Sequence, residues 1–297
     1  MISILNQVTC CPYCISDFSN DRFFCNNCKI DYNPSGDDPF DFRLRSEKLI
    51  NTEIKVGKNK NAFNTSSNSG VYNFNFGFRT NKDSFDFSKI GQKKAQNKLL
   101  SWIPKGGGIA LDVGSYNDRS LINYTEISNH ILIRSDYDNP NVDMLLDAHA
   151  LPFKDNSIDL IINLALMEHV EFPHIVGREF YRVLKKDGVL LTNVAFLQQQ
   201  HMSSWYHFTH YGVYSWLINS GFKESKIKID AAGKKYHGIF TTASLIGIPN
   251  LLKKILLYPI YFLHRILWKL SGIKSGKDIE KIRQLQTSGA INSVATK

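Results

Sequence analysis

Short apolar runs that alternate with helix-like stretches constrain the fold of this 297-residue chain more than any other feature. Buried parallel strands have nearly continuous apolar sequences, and the helices between them return the chain to the start of the next strand. The alternation therefore predicts an α/β fold with a doubly wound, mostly parallel sheet covered on both faces. The predicted strands cover residues 109–113, 130–135, 142–146, 158–163, 189–195, 226–230 and 238–243.

Caps and prolines predict where the intervening helices begin and end. Pro173 suits the first turn of one helix, the Lys-Lys pair at 185–186 suits its last turn, and Gly188 suits its end. Thr209 is the predicted N-cap of a later helix, and Gly221 is its predicted terminator. Two further helices are predicted over residues 92–102 and 118–128.

Polar or small residues stand at the ends of four of the predicted strands. In open α/β sheets, a ligand binds at the carboxyl ends of the strands, near the point where the strand order reverses. We therefore expect these residues to share one edge of the sheet and to line a common pocket. They are Asp112, Gly114 and Ser115 where the first strand ends, Asp136 after the second, Asp147 and Ala148 after the third, and Asn163 at the end of the fourth.

This series resembles the class I S-adenosylmethionine-dependent methyltransferases, in particular those with a methyltransferase type 11-like domain. The resemblance covers residues 109–222 and implies a seven-stranded Rossmann-like sheet. Four phrases carry it, in the family's order and spacing. They are Asp112-Val113-Gly114-Ser115, Asp147-Ala148-His149-Ala150-Leu151-Pro152-Phe153, Met167-Glu168-His169-Val170, and Arg182-Val183-Leu184-Lys185-Lys186-Asp187-Gly188-Val189-Leu190.

The resemblance also implies which parts of the cofactor each residue meets. The Asp112, Gly114 and Ser115 loop surrounds the methionine portion, where glycine permits close backbone approach. Asp136 accepts hydrogen bonds from the ribose hydroxyls, since a carboxylate offers several acceptor positions. The adenine meets Asp147 and Ala148, and Asn163 lies beneath the sulfonium. The motif G-x-G-x-x-G is absent, which argues against a nicotinamide-binding oxidoreductase.

Histidines after the fifth predicted strand are the candidates for proton transfer. Methyl transfer is an in-line displacement that in some cases requires removal of a proton from the acceptor. Imidazole is suited to this because its ordinary pKa lies near neutrality. The candidate catalytic residues are His207 and His210, with His201 in the same segment. The alternative is that these side chains cap the pocket or lie on the surface.

All five cysteines lie between residues 10 and 28. The pairs Cys11-x-x-Cys14 and Cys25-x-x-Cys28 are separated by ten residues, a spacing that brings four thiolates to the corners of a tetrahedron. We therefore predict a structural zinc site at the N-terminus, in which Cys10 takes no part. A glutaredoxin-like redox pair is the alternative, but it needs a preceding strand and a long following helix that the sequence does not indicate. Incidental cysteines are the third reading.

Positive charge is concentrated at the end of the chain. The formal net charge is +9, and residues 246–297 hold nine basic and two acidic residues, which leaves the first 245 residues nearly neutral. Residues 248–270 combine aromatic, aliphatic and basic side chains but contain no run long enough to span a bilayer. Either this segment lies in a membrane interface, or it packs on the core as two helices broken at Pro259. Residues beyond Gly272 are predicted to be a solvated end.

These features predict a zinc-ribbon-like module over residues 1–45, a linker over 46–90, a methyltransferase domain over 91–245 and a basic amphipathic helical tail over 246–297. The expected function is methylation of a small molecule or of a sugar- or lipid-linked precursor. The expected location is cytoplasmic, with peripheral contact at the inner face of the membrane. An RNA methyltransferase is a second reading, although the ribbon itself is not basic. A non-catalytic interaction protein is a third, because Tyr116 stands at the family's second loop glycine.

Overall fold

The structure is a computed structural model that describes residues 2–19, 22–36, 38–45, 48–50, 54–56, 99, 101–115, 127–198, 204–232, 248–276 and 278–297. Several predictions lie outside these residues. They are the strand at 238–243, most of the helices at 92–102 and 118–128, and the positions of Tyr116 and His201.

A mostly parallel, eight-stranded sheet forms the centre of the described fold, with the order β11-β12-β10-β9-β6-β7-β8-β3. Within it only β12 runs antiparallel to its neighbours. The short pairs β1-β2 and β4-β5 are separate antiparallel ribbons. The strands are β1 (Phe24–Cys25), β2 (Ile30–Asp31), β3 (Phe40–Asp41), β4 (Lys48–Ile50), β5 (Ile54–Val56), β6 (Gly108–Val113), β7 (His130–Asp136), β8 (Met144–Leu145), β9 (Ile158–Leu164), β10 (Leu184–Ala195), β11 (Ile227–Ala232) and β12 (Ala290–Thr296).

Two apolar cores, one on each face of the sheet, confirm the doubly wound α/β prediction. Successive side chains of a strand point to opposite faces. In β9, Ile161 belongs to one core, whereas Leu160 and Ile162 belong to the other. The central strand is therefore buried on both sides, which explains why its sequence is almost continuously apolar.

Five helices accompany the sheet among the described residues. They are α1 (Ile2–Val8), α2 (Pro173–Val183), α3 (His210–Ser220), α4 (Asn250–Ser275) and α5 (Ile279–Thr287). The predicted caps of α3 are confirmed, because the Thr209 hydroxyl accepts a hydrogen bond of 3.0 Å from the Gly212 N–H. Gly221 ends this helix in the left-handed region, at φ 116°. No described helix is long and apolar enough to cross a membrane.

The predicted end of α2 at Gly188 is wrong, since this helix ends at Val183. The next residue, Leu184, is extended and fully buried, and it pairs with Ile158 of β9. The Ser157 N–H, directly before β9, donates to the Val183 carbonyl at 2.8 Å and satisfies the helix end in place of a glycine cap. The two lysines predicted for the last helical turn belong to β10 instead.

The predicted solvated end beyond Gly272 is also wrong for the last strand. β12 lies between β10 and β11, and six of its seven residues are buried. It pairs antiparallel with both neighbours along its whole length. The C-terminal segment therefore fills a position inside the sheet. The predicted break at Pro259 does not occur either, because α4 is continuous through that residue.

Two predicted strands differ from the observed ones at both ends. The strand predicted over residues 142–146 is reduced to β8 (Met144–Leu145), although the Leu146 N–H that follows it still donates to the Asp136 carbonyl of β7 at 3.0 Å. The strand predicted over 226–230 is β11, which starts one residue later and continues to Ala232 after a short turn at Glu224–Lys226. In both cases a strand is present where it was predicted, and only its first and last residues differ.

Candidate functional site

The register of the parallel strands brings the predicted site residues to one edge of the sheet. Val113, the last residue of β6, pairs with Ser135 of β7 and with Asn163 of β9. Asp136, the last residue of β7, pairs with Leu145 at the end of β8. Neighbouring strands lie about 4.8 Å apart. The carboxyl ends of β6, β7, β8 and β9 therefore form one continuous rim.

The turn after β6 is held against β7 by backbone hydrogen bonds. The N–H groups of Gly114 and Ser115 both donate to the Ser135 carbonyl at 2.9 Å. The Ser135 hydroxyl donates to the Asp112 carbonyl, also at 2.9 Å. Asp112 and Ser115 are both buried. This network fixes the loop that the family resemblance predicts to meet the methionine portion of the cofactor.

Gly114 is required by this turn for two reasons. Its φ of +81° lies in the region that L side chains rarely adopt. A Cβ placed there would also lie 3.2 Å from the Cδ1 atom of Leu166, in the loop after β9. Because residue 114 has no side chain, its backbone can pack closely against Leu166. This contact joins the loop after β6 to the loop after β9.

The two other carboxylates at the rim are each oriented by their own loop. The Asp136 Oδ1 atom accepts hydrogen bonds from the N–H groups of Asp138 and Asn139, at 3.0 and 3.1 Å. The Asp147 Oδ1 atom accepts from the His149 N–H at 2.9 Å and contacts the His149 Nδ1 atom at 2.8 Å. Asp147 is buried together with the adjacent Ala148.

His149 is a residue of this site that the sequence argument missed. Its Nε2 atom accepts a hydrogen bond of 3.3 Å from the Phe172 N–H at the start of α2. Because Nε2 is the acceptor, the proton of the neutral ring is on Nδ1, which donates to Asp147. The imidazole therefore joins the loop after β8 to the beginning of α2. The spacing of two residues between Asp147 and His149 was the only sequence signal for this contact, because an aspartate side chain often bonds to the residue two positions later.

Asn163 begins a row of buried polar side chains on one face of the sheet. Its Oδ1 and Nδ2 atoms have no hydrogen-bond partner among the described residues, and its side chain is fully buried. Thr192 of β10 lies next to it in register, and Ser293 of β12 lies next to Thr192. Both hydroxyls likewise lack a partner within the described part of the chain. The row is a polar strip in an otherwise apolar core, beside the carboxyl rim.

The segment after β10 folds over the loop after β9 and carries the predicted histidines. The Trp205 N–H donates to the Glu168 carbonyl at 2.6 Å, and the Phe208 N–H donates to the Ala195 carbonyl at 2.7 Å. His207 lies between these two anchors, so it is held at the same rim. Its Nε2 atom is buried and has no hydrogen-bond partner among the described residues.

His210, the other predicted catalytic residue, is the first residue of α3. Its ring centroid lies 4.4 Å from that of Tyr211. Burial lowers the pKa of His210, which favours the neutral imidazole at pH 7. Its Nδ1 atom has no hydrogen-bond partner in the described residues. A neutral ring with an available nitrogen is the state that accepts a proton.

The sequence of the region that forms this rim matches a known domain family. Residues 107–192 match the family described as the methyltransferase domain. The chain contains a methyltransferase domain. The match begins just before β6 and ends within β10, so it covers the four strands whose carboxyl ends form the rim. The predicted resemblance to class I methyltransferases is thereby confirmed for this region.

The solved structures to which this chain is similar are distant from it in sequence. Haemonchus contortus phosphoethanolamine N-methyltransferase 2, in complex with S-adenosylhomocysteine, is 16% identical with a TM-score of 0.41. The chain spans only 52% of that protein's length, and 68% of the chain is covered.

Two others are an S-adenosylmethionine-dependent methyltransferase from Archaeoglobus fulgidus (14% identity, TM-score 0.43, 69% of this chain and 94% of that one) and the cyclase SpnF (14%, 0.45, 69% and 80%). At this level of similarity, no substrate carries over from them. No curated protein matches the sequence.

Glu179 and Arg182 form an ion pair inside the methyltransferase domain that the sequence patterns did not predict. The Glu179 carboxylate on α2 accepts from the Arg182 Nε and Nη2 atoms at 2.7 Å each, and from the Leu151 N–H at 2.8 Å. Arg182 donates in turn to the carbonyls of Leu151 and Phe153. Burial alone would lower the pKa of Arg182, but its hydrogen bond and charge interaction with Glu179 outweigh this and raise it. This ion pair fixes the end of the loop that carries Asp147.

The four predicted zinc ligands come together at the N-terminus of the chain. Their Sγ atoms all lie within 4.8 Å of one another. The Cys11 and Cys28 sulfurs are 3.8 Å apart, and those of Cys14 and Cys25 are 3.5 Å apart. Burial raises the pKa of the remaining cysteine, Cys10, to about 12, so its thiol stays protonated at pH 7.

The cysteine module, defined here as residues 2–45, is joined directly to the methyltransferase domain. β3 pairs in parallel with β8 and extends the central sheet by one strand. Thr9 forms an antiparallel bridge with Phe153, and the Cys10 N–H donates to the Pro152 carbonyl at 3.0 Å. These contacts lie at both ends of the stretch that carries Asp147 and Ala148. The module therefore supports the loops of the candidate site.

Proposed function

We propose that the chain transfers a methyl group from S-adenosylmethionine to an acceptor molecule. The observation that carries this proposal is the common rim formed by the carboxyl ends of β6, β7, β8 and β9. Ligands of open α/β sheets bind at such a rim. The rim presents a glycine turn after β6, an aspartate as the last residue of β7, another aspartate two residues after β8, and a buried asparagine in β9.

The residues present at the rim suit a nucleoside with a charged sulfur. The Asp136 carboxylate, oriented by two backbone N–H groups, would accept hydrogen bonds from the ribose hydroxyls. Asp147 and Ala148 would hold the adenine, and the turn of Asp112, Gly114 and Ser115 would hold the methionine portion. The buried amide of Asn163, which lacks a partner among the described residues, suits a position next to a polar ligand.

When bound, this cofactor supplies an electrophilic methyl group. The part played by the chain is to align the acceptor, exclude water and take up a proton where the acceptor carries one. His207 and His210 are the proposed acceptors of that proton, because both lie in or next to the segment anchored on the loop after β9. Burial keeps the pKa of His210 below its usual range, which leaves its imidazole neutral.

We also propose that the four clustered cysteines hold a structural zinc ion. A tetrahedral site with Zn–S bonds of about 2.3 Å has sulfurs about 3.8 Å apart. The distances of 3.5 and 3.8 Å between two pairs of sulfurs support this proposal. Four thiolates leave no open coordination position, so the ion would stabilise the module and take no part in methyl transfer.

For the acceptor, we propose a small molecule or a sugar- or lipid-linked precursor, reached by a protein in peripheral contact with a membrane through residues 248–270. The composition of this segment supports the membrane contact. It mixes aliphatic and aromatic side chains with lysine and arginine and holds no acidic residue. The proposed location is the cytoplasmic side of that membrane.

Cofactor binding by the full chain tests the central proposal. Calorimetric titration with S-adenosylmethionine and S-adenosylhomocysteine is expected to give one site per chain. The Asp136→Asn variant should bind about tenfold or more weakly, because hydrogen bonds to a charged group contribute roughly 1.5–3 kcal/mol. The control is Asp187→Asn, because the Asp187 carboxylate pairs with Lys226 at 3.0 Å near the start of β10, at the opposite end of that strand from the rim. Absence of binding to the unmodified chain at high micromolar cofactor would refute the proposal.

A further inference from the structure

The helix α4 turns its apolar side chains away from the protein. It has 26 residues and is therefore about 39 Å long. The positions that are least exposed recur every three or four residues and form one inward stripe. This stripe consists of Lys253, Leu257, Tyr261, Arg265 and Trp268. The large apolar residues outside it are exposed by 42–82%, namely Leu251, Leu252, Ile255, Leu256, Tyr258, Ile260, Phe262, Leu263, Ile266, Leu267, Leu270 and Ile273.

The inward stripe is unusually polar for a helix that packs on a protein. Arg265 donates from its Nε atom to the Glu280 carboxylate on α5 at 2.8 Å, and its guanidinium lies 5.8 Å from the ring centroid of Tyr261. Lys253 is only 2% exposed. Surface helices of globular proteins place their apolar residues towards the core and their charges outwards. In α4, by contrast, twelve large apolar side chains point outwards, whereas Lys253 and Arg265 lie in the inward stripe.

The exposed apolar side chains of α4 form one continuous surface, which we call the outer arc. With about 100° between successive residues, they span roughly 200° of the helix circumference. The centre of the outer arc lies opposite the inward stripe. A large contiguous apolar surface that is exposed on a protein marks a contact with a membrane or with another protein.

The charge of α4 favours an anionic lipid surface over a second copy of the chain. Residues 250–275 contain five basic residues and no acidic one. Three of the basic residues, Lys254, Lys269 and Lys274, are exposed. A second copy packed on the outer arc would bring equal positive charge to the same interface. An anionic bilayer supplies both the apolar layer and the opposite charge.

The segment that holds α4 leaves the sheet at the rim of the candidate site. β11 ends at Ala232, and β12 begins at Ala290, which pairs with Ala232 and with Ala195 at the end of β10. The Ser288 hydroxyl donates to the Ala232 carbonyl at 3.0 Å and ties the two ends together. Since β10 runs parallel to β9, α4 is tethered at the edge that carries the carboxyl ends of β6 and β9.

We propose that α4 lies in the headgroup layer of an anionic lipid bilayer, with its outer arc towards the acyl chains. This contact rests on the proposed function and deepens it, because it specifies the surface, the lipid class and the orientation. A helix anchored in this way would bring the rim of the methyltransferase domain close to acceptors that are themselves linked to lipid. The lipid recognised is defined only by its negative headgroup.

Flotation of the full chain with vesicles tests this proposal. Vesicles of phosphatidylcholine mixed with phosphatidylglycerol are expected to bind the chain, and binding should fall as salt is added. Ile255→Glu, in the outer arc, should weaken binding by about tenfold or more, because an apolar side chain is replaced by an acidic one. The matched control is Ile2→Glu on α1, since Ile2 is 62% exposed and Ile255 is 59% exposed. The triple change of Lys254, Lys269 and Lys274 to Gln should weaken binding on the order of a hundredfold.

Three outcomes would overturn the proposal. One is the absence of vesicle binding at low salt, and another is equal binding of the Ile2→Glu and Ile255→Glu variants. The third is a dimer in vesicle-free solution that Ile255→Glu dissociates, which would identify the outer arc as an interface between copies. Cofactor titration of the Ile255→Glu variant separates these results from failure of the proposed function, because its cofactor affinity is expected to equal that of the unmodified chain.

Discussion

The Nη1 atom of Arg43 donates a hydrogen bond of 3.0 Å to the carbonyl oxygen of Tyr137. Arg43 belongs to the cysteine module, whereas Tyr137 directly follows Asp136 at the rim. The guanidinium is itself fixed by Asp41, whose two carboxylate oxygens accept from it at 2.8 and 2.9 Å. Burial alone would raise the pKa of Asp41, but Arg43 outweighs this and lowers it. An ion pair of the module thus holds the loop that presents the proposed ribose ligand.

Replacement of Arg43 by alanine is expected to weaken cofactor binding about tenfold, because the Asp136 loop loses a charge-assisted hydrogen bond that restricts it. The midpoint of thermal unfolding should change by only a few degrees. Arg45→Ala is the matched control, since Arg45 donates to the Asp31 carbonyl and lies over the Tyr32 ring, entirely within the module. Calorimetry with S-adenosylhomocysteine measures the difference, and equal affinities of the two variants would contradict the prediction.

Removal of the proposed zinc ion is expected to weaken cofactor binding by an order of magnitude or more. Without an ion, the module would lose the bonds that join its four thiolates, and the module contacts the rim through β3, Arg43 and the Thr9 bridge. Elemental analysis should find one zinc per chain, and treatment with a chelator followed by added zinc should restore affinity.

The Cys10→Ser variant is the control for this experiment and should keep its zinc. Cys28→Ser should lose it, because the Cys28 sulfur lies 3.8 Å from that of Cys11. Full cofactor affinity in a metal-free chain whose circular dichroism is unchanged would show that the module does not support the rim.

The Gly114→Ala substitution is expected to destabilise the chain by about 2 kcal/mol, of which about 1–2 kcal/mol comes from its left-handed backbone. The rest comes from the contact of the new Cβ with Leu166 at 3.2 Å. The midpoint of thermal unfolding should fall by about 4–8 °C. Gly106→Ala is the control, because nothing lies within 4 Å of a Cβ at that position. A Gly114→Ala midpoint equal to that of Gly106→Ala would refute the strained turn.

The rate of methyl transfer should depend on pH through His210. Burial lowers the pKa of this imidazole, so it stays neutral to a lower pH than an exposed histidine does. Activity that needs the neutral ring is therefore lost only as the pH falls below about 6.5, the ordinary histidine value. His210→Gln should reduce kcat by about 100-fold and remove this acidic limb. His264→Gln, on the exposed helix α4, should change neither.

Short-range patterns in the sequence predicted much of the fold and of the rim. The apolar run of β9, the hydroxyl cap at Thr209 and the glycine at Gly221 depend only on residues a few positions away. Their positions in the structure follow from intrinsic backbone preferences and from burial on both faces. The spacing of the four cysteines was equally local, and the structure brings their sulfurs together.

Only the tertiary structure decided which distant segments complete the sheet and the site. The small and polar residues of Ala290–Thr296 carry no strong strand signal, yet β12 pairs with β10 and β11, and Asn292 accepts a hydrogen bond of 2.6 Å from Asn193. α2 stops at Val183, where the next residue pairs with β9 and the Ser157 N–H satisfies the last carbonyl of the helix. Local preferences act between residues close in sequence, whereas strand partners are selected by the burial and hydrogen bonds gained across long loops, which no short stretch of sequence encodes.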